Sequence, residues 1–235
     1  STIEYLCAMC KLILRKTHLY PHSNPGTMTH TELKTLREVN VSMGLMLENI
    51  SPRLCLPGGP HEHAPSKQPR ARLRSLELAG QLKIPFTTGL LIGIGETSNE
   101  RVDALFKIKD LHLRFGNIQE VILQNFRAKP GTPMQTAPEA SHRAVLETIA
   151  LARIILGGEM NIQAPPNLSS DFGQNSTLAA TGSQSSSYLD YLDAGINDWG
   201  GISPITQDYV NPEAPWPQLT VLRREIEQLG YQLRA

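Results

Sequence analysis

Pro85-Phe86-Thr87-Thr88-Gly89-Leu90-Leu91-Ile92-Gly93-Ile94-Gly95-Glu96-Thr97 is the stretch whose reading decides the fold. The apolar run from Pro85 to Ile94 is too short for a globular helix and carries no polar stripe, so it reads as a strand buried on both faces of a parallel sheet. Similar segments lie on either side: Ser42 to Glu48 before it, and Ile118 to Phe126, Asn161 to Ala164 and Ala194 to Asn197 after it. A short extended segment ending in Tyr20-Pro21-His22-Ser23-Asn24-Pro25-Gly26 makes six. Between them lie helical patterns: one from Ser1, Met28 to Val39, one through Leu73, Leu76 and Leu78-Ala79 with Gly80 as C-cap, Val102 to Leu113, and Ala140 to Leu156. An amphipathic helix from Gln218 to Leu229 closes the chain. Strand and helix alternating at roughly 30-residue intervals predict right-handed βα units on a parallel sheet.

The predicted class is α/β, a TIM-like (β/α) barrel in one domain over 1–235, with a doubly wound open sheet as the alternative. A barrel needs eight strands, so about the first two βα units are expected to lie before Ser1, where the chain opens without Met in a helical pattern. Ser169 to Ser187, rich in Ser, Gly, Gln and Thr, reads as a flexible loop or lid, or as a plain surface insertion.

Lys plus Arg is 22 and Asp plus Glu is 22, a net charge of +0 that argues against a nucleic-acid or anionic-membrane binder. No apolar stretch has the length of a membrane helix and no signal peptide is visible, so a cytoplasmic location is expected. Three cysteines, Cys7, Cys10 and Cys55, cannot all pair. Cys7-Ala8-Met9-Cys10 has a metal-site gap but sits in a helix without a second pair, and reads as core packing. His61-Glu62-His63 in a Pro-rich loop reads as solvated, or as a single substrate contact, before it reads as a metal site.

Candidate site residues gather at strand ends. Glu48 ends one strand and Arg72 opens the following helix. They are either ligands for a zwitterion, the acid for its ammonium and the guanidinium for its carboxylate, or simply an ion pair with each other. Gly89 and Gly93 would let backbone approach a planar ligand, with Glu96 beyond them; the competing reading is a tight βα turn closed by a capping acid. Asn161, Gln163, Asn167, Asn197, Asp198 and Trp199 offer amides, an acid and an indole, a lining suited to a flat polar heterocycle. No Gly-x-Ser-x-Gly, no His-Glu-x-x-His and no lysine in an apolar strand end is present, which disfavours a hydrolytic or aldolase-type barrel.

Five segments together resemble a known family: Pro21 to Gly26, Gly44 to Glu48, Pro85 to Thr97, Gln119 to Met134, and Asn197-Asp198-Trp199-Gly200-Gly201-Ile202-Ser203-Pro204. They are similar to the CofG-type radical S-adenosylmethionine (SAM) enzymes that close the deazaflavin ring of the coenzyme F420 precursor. The resemblance implies a radical SAM barrel and a lyase with S-adenosylmethionine and a [4Fe-4S] cluster as cofactors. Its substrate would be the hydroxybenzyl adduct of a ribityl-diaminouracil, cyclised with loss of ammonia. It also implies a CofH-type sister enzyme as substrate supplier and an external electron donor. By position, Glu48 would hold the SAM amino group or ribose and Arg72 its carboxylate. Gly89, Gly93 and Glu96 would lie near the adenine with Asn125 beside them, and the six residues from Asn161 to Trp199 would face substrate. The family's Cys-x3-Cys-x2-Cys loop is missing from these 235 residues. Cluster ligands are therefore expected upstream of Ser1, and the chain alone is expected to be inactive. A CofH-like or menaquinone-pathway relative, or a SAM-binding fragment without catalysis, are the competing readings.

Overall fold

The computed structural model describes residues 1–169 and 187–234. Five parallel strands pair in sequential order: β1 (His22–Ser23), β2 (Ser42–Gly44), β3 (Phe86–Ile92), β4 (Ile118–Asn125) and β5 (Asn161–Gln163). Each crossover moves the chain one place in the same direction. A doubly wound sheet would reverse its order at a switch point, so the wall is an arc of a (β/α) barrel.

The helices are α1 (Thr2–Lys16), α2 (His30–Arg37), α3 (Pro69–Gln81), α4 (Ser98–Phe115), α5 (His142–Leu156), α6 (Pro166–Ser169), α7 (Ser187–Ala194) and α8 (Leu219–Gln228). Local chemistry starts several of them. Ser1 with Glu4, Thr29 with Glu32 and Thr97 with Glu100 form reciprocal capping boxes, satisfying amides that a helix start leaves free. Gly116, at φ +67°, ends α4 in the left-handed conformation. Gly80, in contrast, is no cap. It lies inside α3, where a Cβ would stand 2.5 Å from the Phe115 ring, so glycine lets α3 close on the end of α4.

Met43, Phe86, Leu90, Ile92, Val121, Leu123 and Ile162 belong to one core with Leu33, Leu36, Leu76, Leu105, Ile108 and Ile149 of the covering helices. By strand alternation the opposite, inner face carries Ser42, Gly44, Thr87, Gly89, Leu91, Glu120, Ile122, Gln124, Asn161 and Gln163. Barrel interiors are ordinarily filled by branched apolar side chains. Apart from Leu91 and Ile122 the groups on this face are small or polar, and Ile122, Gln124 and Gln163 border an open chamber.

Two strand expectations are corrected. The segment from Ser42 keeps regular pairing only to Gly44, and Glu48 meets β3 again through an isolated bridge to Leu90. The sixth strand is reduced to one bridge, Gln163 to Asp198, because α7 runs to Ala194 and leaves too few residues to extend it. The loop expected over Ser169 to Ser187 lies, but for its two helical end residues, outside the described residues. Among the described residues no helix is long and apolar enough to cross a membrane.

Candidate functional site

The chain after β2 carries Glu48 to the edge of β3, where its amide donates to the Gly89 carbonyl at 2.8 Å and its carbonyl accepts from the Leu91 amide at 3.2 Å. The backbone there has φ +63°, a conformation uncommon for a side-chain-bearing residue and one associated with functional positions. Glu48 is buried, and its Oε1 receives the Lys67 ammonium and lies 3.3 Å from Arg72 Nη1. Its Oε2 lies 3.1 Å from His61 Nε2, but off hydrogen-bond geometry, so both buried atoms are left without a hydrogen bond.

Burial opposes ionisation of Glu48; the His61 contact and the Arg72 and Lys67 charges outweigh it and hold the carboxyl at about 2. Arg72 is anchored by the Met46 carbonyl and by Nε donating to the Ser66 carbonyl at 3.0 Å, and its pKa is lowered by burial, against the pull of Glu48. The predicted pair is thus brought together and paired, with Lys67 as a second cation and His61 as a neighbour. One buried carboxylate facing two cations leaves a local excess of positive charge. Next to it, Asn49 Nδ2 is also buried without a partner. Sequence patterning missed Lys67, which sits in a Pro-rich loop without periodicity.

In the glycine-rich strand the missing Cβ atoms are required by the fold itself. A Cβ on Gly89 would lie 2.0 Å from the Ile122 carbonyl oxygen, so β4 itself occupies the space. Gly93, at φ +96°, has Ala140 at 2.8 Å from where its Cβ would be. The Glu96 carboxylate accepts from the amides of Gly93 and Ile94, each at 2.9 Å, and from Arg101 Nη1 at 2.8 Å. These residues build the turn after β3. It borders a cleft of about 590 Å³ whose walls include Leu54, Gly59, Ile94, Gly95 and Met134. Asn125, at the end of β4, is buried with Nδ2 unpartnered.

The substrate-side candidates divide into two groups. Asn161 and Asn197 bond each other at 3.1 Å, and Asn197 Oδ1 accepts from the Ile162 amide at 2.8 Å and Arg153 Nη2 at 3.1 Å, pinning the last segment to β5. Asn167 is buried and donates to Asp208 Oδ2 at 2.9 Å and the Ala214 carbonyl at 3.0 Å, holding the segment over α6. Gln163 and Trp199 instead line a cavity of about 200 Å³ with Ile122, Gln124, Asp208 and Trp216. Asp198 accepts from the Gly200 amide at 2.7 Å and faces Glu120, which accepts from Thr87 Oγ1 at 3.1 Å. Burial and the Asp198 charge push Glu120 up to about 7. Glu120 was not singled out from sequence, although a carboxylate alternating with Ile118 and Ile122 in a buried strand is the signal that would have found it.

The three cysteines do not form a metal centre. Cys10 is buried with Sγ 3.7 Å from Ser23 Oγ and from Asn40 Oδ1, and Cys55 is in the turn at Pro52–Cys55. Among the described residues no group of three or more His, Cys, Asp or Glu side chains could hold a metal ion.

No protein-family model matches the chain. It is 50% identical over 234 residues to the 7,8-didemethyl-8-hydroxy-5-deazariboflavin synthase of Methanopyrus kandleri, covering 100% of this chain and 65% of that protein. The enzyme of the same name from Methanocaldococcus jannaschii is 50% identical over 234 residues, with 61% of its length covered. The FO synthase of Streptomyces avermitilis is 46% identical over 236 residues, 26% of its length. The chain therefore spans about three fifths of the first two relatives. In fold it is similar to HydG, a maturase of the FeFe-hydrogenase (TM-score 0.71, 17% identity, 97% of this chain and 49% of that one). It is also similar to methylornithine synthase PylB (TM-score 0.69, 16% identity, 99% and 64%).

Proposed function

We propose that this chain, a homologue along its whole length of the 7,8-didemethyl-8-hydroxy-5-deazariboflavin synthases, is the SAM- and substrate-binding part of a radical SAM lyase. The enzyme closes the deazaflavin ring from a hydroxybenzyl uracil adduct and releases ammonia. The observation that carries the reading is the buried Glu48 cluster at the C-terminal edge of β3, where barrel enzymes place their sites.

The residues present fit S-adenosylmethionine. Glu48 Oε2, which has the His61 ring beside it but no hydrogen bond, suits its ammonium or ribose, and Arg72 with Lys67 suits its carboxylate. Asn125 Nδ2, also unpartnered, suits the adenine side. When bound and reductively cleaved, this cofactor supplies a 5′-deoxyadenosyl radical that abstracts hydrogen. The residues present do not fit a [4Fe-4S] cluster, which needs converging thiolates. The reading therefore requires cluster ligands from outside these 235 residues. Within the chamber, Glu120, whose carboxyl is pushed up to about 7 by burial and by the facing Asp198 charge, would be the group to exchange a proton with a departing amine. A CofH-type enzyme supplying substrate, an external electron donor and a cytoplasmic setting belong to the same reading.

The test is calorimetric titration of S-adenosylmethionine into the chain and into Lys67→Ala and Arg72→Ala, with folding checked by circular dichroism. Loss of one charge-assisted contact is worth about 1.5–3 kcal/mol, so affinity falls roughly 10- to 100-fold. Unchanged affinity in both folded variants would remove the cluster from the site.

A further inference from the structure

The cavity between β4, β5 and the 199–216 segment has features the cofactor reading does not use. Its volume, about 200 Å³, is above the roughly 150 Å³ that admits one benzene ring and below the roughly 300–1,000 Å³ of a site for a drug-sized molecule. It is bounded by Trp199, Trp216 and Ile122, and by the carboxamides of Gln124 and Gln163. Neither carboxamide makes a hydrogen bond within the described residues, so each presents a donor and an acceptor to the cavity. Gly200, at φ +72°, leaves the room for this, since a Cβ there would stand 2.1 Å from Gln163 Nε2. Trp199 is held from behind by Tyr188, edge-on at a centroid distance of 5.1 Å, and by Tyr191 at 6.3 Å. Asp208 Oδ2 accepts from Asn167 at 2.9 Å and Asn211 at 3.0 Å, and its Oδ1 accepts from the Val210 amide at 2.8 Å.

The geometry points to a single-ring subsite for a neutral, planar cyclic imide or amide, its alternating C=O and N–H edge read by Gln124 and Gln163 and its faces covered by indole. Primary amides match such an edge in both senses, whereas a phenol offers one hydroxyl and would leave most of these groups unpaired. This rests on the reading of the chamber as the substrate side, and assigns the uracil-type ring of the substrate to this place.

The chain contains two tryptophans, Trp199 and Trp216, and both line this cavity. Indole fluorescence of the full chain therefore reports on it alone. Titration with uracil is expected to give a saturable change with Kd of order 1 mM or tighter. The effect should weaken at least tenfold with 1,3-dimethyluracil, which has no N–H, and in Gln163→Leu; Gln124→Leu serves if that variant does not fold. No saturable change with uracil, equal binding of the dimethyl compound, or saturation by phenol in its place would overturn the assignment. Titrating S-adenosylmethionine in parallel separates the two readings. Binding of the cofactor without uracil refutes only the subsite, and binding of uracil without the cofactor supports the subsite while refuting the cofactor reading.

Discussion

Replacing Glu48 by Gln removes one negative charge and almost no volume, and the consequence can be worked from the surroundings. Burial alone would favour the neutral acid, yet the His61 contact and the charges of Arg72 and Lys67 bring the carboxyl from 4.5 to about 2. At 1.36 kcal/mol per pKa unit, that corresponds to about 3 kcal/mol of folding stability. The contribution belongs to the ionised form, so it is complete above the unfolded value near 4.5 and lost as pH falls toward 2. In Glu48→Gln the Arg72 guanidinium, 7% exposed, keeps its burial and loses its counter-charge, and Lys67, 35% exposed, can turn toward water. Urea unfolding of both proteins should therefore show the variant less stable by about 3 kcal/mol at pH 7. The gap should narrow steadily below pH 5 and nearly close by about pH 2. A gap under about 1 kcal/mol at pH 7, or one that persists unchanged in acid, would refute the account of how this cluster is held together.

Two further perturbations probe the inner face. Glu120 is raised to about 7, which costs stability as pH climbs from 4.5 through that value. Glu120→Gln, being unable to ionise, should thus exceed the parent by about 2 kcal/mol at pH 8, after allowance for partial solvent screening, and match it near pH 4; equal stability at both would sink the carboxylate pairing. Gly89→Ala sets a methyl 2.0 Å from the Ile122 carbonyl, backbone that cannot swing aside. A loss of about 3 kcal/mol or more in thermal unfolding is expected, and a parental Tm would show that the two strands can separate without cost.

Much of the fold was legible because its signals are local. The Phe86–Ile92 strand follows from an apolar run between proline and glycine, and the interior of α4 from the helical pattern over Val102 to Leu113, while the Thr97/Glu100 box and Gly116 that set its ends lie outside that pattern. Gly80 misled, because a glycine near a helix end is read as a cap unless the neighbouring Phe115 is known. Gly89 was ambiguous for a similar reason: ligand and neighbouring strand demand the same missing Cβ, and only the tertiary structure shows that Ile122 requires it. Of the cluster, Glu48 and Arg72 were visible as charged residues at a strand end and a helix start. Lys67 was not, and His61 could be read only as a solvated or substrate-touching loop residue, since irregular chain carries no period to say which way a side chain turns.

What the sequence determined by itself is the order of strands and helices, hence the parallel α/β class, because hydrogen-bonded turns and burial periodicity are set within a few residues. Which carboxylates are charged, which amides remain free, and that Gln163, Trp199 and Trp216 surround one cavity were decided only in three dimensions. Those properties depend on groups tens of residues apart, whose separations no local pattern records.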